Sequence, residues 1–301
     1  MTNANPVRFD GKVALVTGAG SGIGACTARE LGRRGAHVIV NDPADDGRAE
    51  AVAGQITQAG GKAAANLTPV GDFKAAQDMV DFAQATFGPV DILVNNAGIA
   101  RPGPFWTRTD DEILTVLRVN LHAPYALMRA VWPGMAEKKS GRIVNLCSSA
   151  AFGSGISGAY AASKAGLIGL TKDAAIASEP HGVYVNGVMP CAYTPLLDNH
   201  PDKDFCEWMK TFMPAEFVAK VICWLTSDRV TSGGNIYSAA GGQFSKITFL
   251  ESKGVFNPAF ELEDIADIAA DASDFSGAAP IDNQAAHEKI IADFFPAPGA
   301  K

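Results

Sequence analysis

Tyr160 and Lys164, four positions apart, are the first candidates for chemistry in this sequence. On a helix that spacing puts both side chains on one face. A phenol ordinarily ionises near pH 10, and a cationic neighbour stabilises the phenolate, so the pair has the parts of a general acid/base that works near neutral pH. The same spacing arises by chance in a chain with five tyrosines, so position has to supply the specificity. The pair follows an apolar run at 142–146, and two serines, Ser148 and Ser149, stand where that run stops.

A second constellation lies near the beginning. Thr17-Gly18-Ala19-Gly20-Ser21-Gly22-Ile23-Gly24 sits between a β-branched run and a segment in helical rhythm. Glycine at 18 permits a tight turn, Gly22 lets the backbone approach a pyrophosphate, and Gly24 lets the helix pack close to the sheet. Backbone N–H groups around Ser21 and Ile23 and the helix dipole would then meet the phosphates. Asp42 follows at about the offset where an acid accepts hydrogen bonds from an adenosine ribose. A carboxylate there repels a 2′-phosphate, and neither Pro43 nor Ala44 offers a cation, so NAD is favoured over NADP.

The elements that must position these groups alternate. Strands are expected at 12–17, 37–40, 62–66, 90–94, 142–146 and 183–188, and helices at 23–34, 47–59, 73–87, 110–135, 160–178 and 215–225. The helix at 110–135 should be interrupted near Pro124 and end near Pro133-Gly134. Strands alternating with helices mean βαβ units with right-handed crossovers. The fold class is α/β, a doubly wound parallel sheet of Rossmann type: a single domain over 1–250 with an extension over 251–301. Residues 191–214 form a long aromatic and methionine-rich connection, and 233–254 are rich in glycine and small polar residues. One amphipathic helix is expected at 283–295.

Charge and composition narrow the function classes. Hydrophobic residues make up 47% and charged residues 19%, which excludes a disordered chain. The net charge is −7, and the ten acids and three lysines from Glu251 onward carry all of it. No basic block stands out along the sequence, so nucleic acid is not expected as a main partner. Five cysteines without a C-x-x-C pair and five histidines without ligand spacing point to buried thiols in a reducing compartment and no metal. No apolar run resembles a signal peptide or a membrane span, so a cytoplasmic location is expected.

Taken together, Thr-Gly-x-x-x-Gly-x-Gly at 17–24, Asn-Asn-Ala-Gly at 95–98, Asn120, a serine near 148 and Tyr-x-x-x-Lys at 160–164 resemble the short-chain dehydrogenase/reductases, over about 11–242. A narrower likeness, carried by Val40-Asn41-Asp42, Val188-Met189-Pro190 and the segment from Ser232, is to the (3R)-hydroxyacyl-CoA dehydrogenase unit of multifunctional β-oxidation enzymes. The resemblance implies that Tyr160 is the catalytic acid/base and that Lys164 also holds the nicotinamide ribose. It implies that Ser148, or Ser149 one place on, binds the substrate oxygen, and that Asn120 kinks its helix to bind a water linking Lys164 to solvent. Asn95, Asn96, Ala97 and Gly98 would line the coenzyme cleft, Asn66 would lie against the adenine, and Thr194 would reach the carboxamide.

The function expected is NAD-dependent hydride transfer at a secondary alcohol or ketone of a hydrophobic substrate: a hydroxyacyl-CoA, a steroid or an alicyclic alcohol. The stretch 196–213 is read as a lid over an apolar pocket. Two rivals stand beside this reading. An epimerase or dehydratase of the extended branch would need a different glycine spacing and a longer substrate domain. A non-catalytic NAD sensor or scaffold would be expected to lack Tyr160 or Lys164. A homodimer or homotetramer is implied through the helices at 110–135 and 160–178.

Overall fold

A computed structural model describes residues 6–198 and 201–295. The chain divides into two compact units, Met1–Lys246 and Ile247–Lys301. In the first, β1 (Val13–Thr17), β2 (His37–Asn41), β3 (Lys62–Asn66), β4 (Ile92–Asn95), β5 (Gly141–Leu146), β6 (Val183–Cys191), β7 (Ile236–Ala240) and β8 (Gln243–Ile247) form one sheet in the order β3-β2-β1-β4-β5-β6-β7-β8. Pairing from β3 through β7 is parallel throughout, with Val16 beside Val40 on one side and Val94 on the other.

Continuous apolar runs such as Val13–Thr17, buried at every position, are what a parallel strand covered on both faces requires. The helices cover those faces. Side chains of α1 (Gly22–Arg33), α2 (Arg48–Gln58) and α8 (Ala215–Leu225) fill one core around Leu31, Ile56 and Ile222. Those of α3 (Phe73–Thr86), α5 (Ala123–Lys138) and α6 (Gly158–Ser178) fill the other, around Met79, Leu127 and Met135. Strand order reverses between β1 and β4, and the carboxyl ends of these two strands part there to leave the crevice in which doubly wound folds bind ligands.

Several expectations about local structure need correction. The interruption expected near Pro124 is a π-turn, Arg118–His122, between α4 (Asp110–Leu117) and α5. Pro124 stands two residues after the π-turn, in the first turn of α5, whereas the end expected near Pro133-Gly134 is displaced: α5 runs on through Pro133 to Lys138. The connection at 191–214 contains a helix of its own, α7 (Lys203–Phe212). The glycine-rich stretch holds the hairpin β7–β8, whose turn residues Gly241 and Gly242 have φ of 48° and 99°. Glycine pairs of that kind make the tight hairpin turn that β-branched residues cannot.

In the second unit, β9 (Phe249–Glu251) pairs antiparallel with β10 (Ala279–Ile281), beside α9 (Leu262–Ala272) and α10 (Gln284–Ala292). Of these, only α10 is foreshadowed by sequence periodicity. Phe256 stacks on Phe294 at 5.5 Å between ring centres, and the His287 ring meets the Glu251 carboxylate at 2.7 Å. All five cysteines are free; four are buried, but Cys191, expected inside, is exposed. No helix among the described residues is long and apolar enough to cross a membrane, and no metal-ligating cluster occurs among them.

Candidate active site

The crevice is a cavity of about 600 Å³. Gly18, Ser21, Gly22, Ile23, Asp42 and Arg48 line one end, Asn96, Ala97 and Gly98 the floor, and Leu146, Cys147, Tyr160, Lys164 and Thr194 the other end.

At the first end the turn after β1 is braced from below. The Asn96 carboxamide donates to the carbonyls of Thr17 and Gly18 at 2.8 and 2.9 Å, while the Thr17 hydroxyl receives the N–H groups of Asn96 and Ala97, both at 3.1 Å. Gly18 and Gly22 have φ of 61° and 52°, conformations that L side chains rarely adopt. A Cβ at Gly24 would collide with the carbonyl oxygen of Gly18, so the helix can start this close to the strand only with glycine there. Ser21 caps α1 without bonding its own helix, which leaves the first N–H groups aimed into the cavity for an anion. A Cβ at Gly22 would come within 3.3 Å of Thr194 across the opening, so the two walls approach at this point. Free backbone N–H groups at a helix start and a buried carboxylate in the same cleft fit what a dinucleotide needs.

Asp42 is 8% exposed, and its carboxylate accepts from the N–H of Gly20 and of Ala44, both at 3.1 Å. Asn66 lies outside the lining. Its side-chain Oδ1 accepts from Asn41 Nδ2 at 2.9 Å and from Thr68 N at 3.2 Å, and Pro69 and Val70 line the wall instead. Asn95 is also withdrawn from the cleft: it is buried and donates to Asn145 Oδ1 at 2.8 Å. Arg48, at the start of α2, lines the cavity and was missed. A search for cations at the two positions after Asp42 stops short of it, although the helix that follows β2 could have flagged its first residue.

At the second end α6 presents Tyr160 and Lys164, with the Nζ of Lys164 at 5.7 Å from the tyrosine ring centre. Lys164 is 4% exposed and donates to the Leu146 carbonyl at 2.6 Å; burial pushes its pKa down to about 8. The expectation that Lys164 acidifies the phenol is corrected for the chain alone. Burial pushes Tyr160 above its ordinary value, the Ser148 hydroxyl pulls the other way, and nearby Cys147 adds to the rise. Desolvation outweighs a cation that is itself desolvated and points at a backbone carbonyl.

Ser148, rather than the exposed Ser149, faces the phenol; it caps the short turn Ser149–Phe152 by accepting from Ala150 N at 3.2 Å. Asn120 is fully buried in the π-turn. Its Oδ1 accepts from Ile99 N at 2.9 Å, and its Nδ2 donates to Ile99 O at 2.8 Å and to Ser163 Oγ at 3.3 Å. Its carboxamide therefore clips the loop after β4 to α6. A π-turn inside a helix is a recurrent way to turn one side chain toward a site. In the loop after β4, Phe105 and Trp106 are 69% and 73% exposed; Phe152 and Ile156 are exposed between β5 and α6, and Trp208 and Phe212 are exposed on α7.

The family model described as short chain dehydrogenase matches residues 12–203. The chain belongs to that family. It is therefore an oxidoreductase acting on CH–OH groups, with a nicotinamide coenzyme and a small-molecule substrate, built on the Rossmann-type fold expected. The chain is 34% identical over 260 residues to the mouse peroxisomal multifunctional enzyme type 2, covering 83% of this chain and 34% of that protein. The solved full-length peroxisomal multifunctional enzyme type 2 of Drosophila melanogaster superposes with a TM-score of 0.81 at 26% identity, over 96% of this chain and 50% of that one. The subgroup likeness read from the motifs therefore holds, and the chain spans between a third and a half of these relatives. A metagenomic short-chain oxidoreductase solved in complex with NADP is 34% identical with a TM-score of 0.63, over 72% of this chain and 91% of that one.

Proposed function

We propose that this dehydrogenase uses NAD to interconvert a secondary alcohol and a ketone on a hydrophobic substrate, with a 3-hydroxyacyl thioester of the CoA type as the leading class. The observation that carries the reading is that Asp42 and the Tyr160–Lys164 pair stand at opposite ends of one cavity, joined by the glycine cradle. A bound oxidised nicotinamide supplies the hydride acceptor. The alcohol loses a hydride from carbon and its hydroxyl proton to the Tyr160 phenolate, and Ser148 holds the oxygen through its hydroxyl. Lys164, charged below about pH 8, favours the phenolate once its ammonium turns from the Leu146 carbonyl toward the ribose. Asn120 keeps α6 and the floor loop at a constant spacing through its bonds to Ile99 and Ser163; a water held there would link Lys164 to solvent.

A hydrophobic substrate is favoured by the exposed aromatics Phe105, Trp106 and Phe152 in the segments that follow the carboxyl ends of β4 and β5. With α7 acting as the lid, Trp208 and Phe212 would close over the bound tail and exclude water. The carboxylate of Asp42, already desolvated, supports NAD because a second negative charge beside it is costly. Both Tyr160 and Lys164 are in place, which favours catalysis over a sensor or scaffold. A dimer or tetramer through α4, α5 and α6 is part of the same reading. So is a cytoplasmic location, which rests on five unpaired thiols; because the mouse relative is named peroxisomal, cell fractionation tests this point.

The test is to mix the protein with NAD⁺ and, in turn, a 3-hydroxyacyl-CoA, a hydroxysteroid and an alicyclic alcohol, following the near-ultraviolet absorbance of reduced nicotinamide. Turnover with at least one, strongest for the acyl-CoA, is expected. No turnover with any of them, or equal turnover by Tyr160→Phe, rejects the reading.

A further inference from the structure

The adenosine end of the cavity holds a cation that is already occupied. The Cγ and Cδ atoms of Arg48 lie directly over Gly20, so close that a Cβ there would collide with them, and the same point is 2.8 Å from Asp42 Oδ2. The stem of Arg48 and the carboxylate of Asp42 therefore flank one spot at the ribose end of the cleft, and both line the cavity. Beyond the stem, the guanidinium does not face that spot alone. Its Nε donates to the two carboxylate oxygens of Asp46 at 2.8 and 2.9 Å, and a terminal nitrogen contacts Asp46 Oδ2 as well. Asp46 also accepts from the backbone N–H of Arg48 at 3.2 Å, so the acid is anchored at the helix start.

We propose that Asp46 is a latch on Arg48 and that the pair sets coenzyme choice: latched, Arg48 is unavailable to a ribose 2′-phosphate; released, it becomes the cation that such a phosphate requires. This rests on the reading of Asp42 as the ribose acid. A guanidinium binds phosphate through two parallel donors, and those donors are the ones Asp46 now occupies. The latch is also shallow. Both partners are more than 40% exposed, and exposed pairs of this kind are worth little, so a competing dianion can displace the carboxylate. The expected consequence is a graded preference for NADH, held jointly by the repulsion from Asp42 and the occupied Arg48.

Calorimetric titration with NADH and with NADPH tests this without a substrate, using the wild type, Asp46→Asn, Arg48→Ala and the double variant. The expected result is that Asp46→Asn tightens NADPH binding a few-fold and leaves NADH within two-fold, and that the gain disappears when Arg48→Ala is added. A gain that survives in the double variant, or equal changes for the two coenzymes, overturns the latch, since removing a negative charge would then be the whole effect. NADH affinity in Asp46→Asn also reports that the variant is folded. A wild type that binds NADPH more tightly than NADH overturns the NAD reading. A wild type that prefers NADH, with Asp46→Asn unchanged, overturns the latch alone.

Discussion

Lys164 carries the sharpest physical conflict in the molecule. Its ammonium is buried and donates to the Leu146 carbonyl, and its pKa falls from 10.5 to about 8. Below pH 8 both folded and unfolded chains carry the charge, and the full cost of burying it is present. Between about pH 8 and 10.5 the folded chain sheds the proton first, so stability should rise with pH across that window by an amount on the order of 3 kcal/mol. Replacing Lys164 with Met should therefore stabilise the coenzyme-free protein at pH 7 by about 1–3 kcal/mol, less roughly 1 kcal/mol for the orphaned Leu146 carbonyl. The gain should shrink toward pH 10, and urea unfolding at the two pH values checks it. A Met variant that is less stable at pH 7 would contradict the burial argument. For Tyr160→Phe the expected loss in turnover is about 10²–10⁴-fold, with NADH affinity retained. Steady-state kinetics beside a binding titration separates the two effects.

Individual strands and helices hold these residues through a buried polar chain. Asn95 on β4 donates to Asn145 on β5, Asn145 donates to Thr171 on α6 at 2.9 Å, and the Thr171 hydroxyl donates to the Leu167 carbonyl at 2.6 Å. This chain ties the sheet to the helix that bears Tyr160 and Lys164. Thr171→Val keeps the shape but leaves the Asn145 amide only the weak Met128 sulfur at 3.8 Å, so it should cost about 1–3 kcal/mol. It should also lower turnover, because α6 loses its peg to β5. Thermal unfolding and turnover measured on the same preparation decide this; full stability in the variant would show the peg to be idle. In the same class, Gly24→Ala should abolish NADH binding or folding, since the Cβ has no room against the Gly18 carbonyl.

Viewed as a whole molecule, the neutral body and the acidic tail are separate compact units. Removing residues 248–301 retains all eight strands of the sheet and every residue lining the cavity. The shortened chain should therefore still fold and bind NADH within a few-fold of the full chain. We expect the deletion to change the oligomeric state or the KM for the hydrophobic substrate. Light scattering and kinetics on the two forms test it; identical values for both would remove the tail from function.

Much of the site was legible in the residue pattern because its parts are local. A glycine turn between a strand and a helix, an acid at the end of the next strand, and a tyrosine and lysine one helical turn apart each depend on a few neighbouring positions. The apolar runs of β1, β2 and β4 were equally plain, since a strand buried on both faces admits little else. What could not be read depends on groups far apart in the chain. Asn120, buried in the π-turn, bonds Ile99 and Ser163, partners that lie 21 and 43 positions away. Asn66 and Asn95 turned inward because Asn41 and Asn145 offered partners across the sheet. The upward push on the Tyr160 phenol and the downward push on Lys164 come from burial, and burial is a property of packing, which spacing along the sequence does not encode.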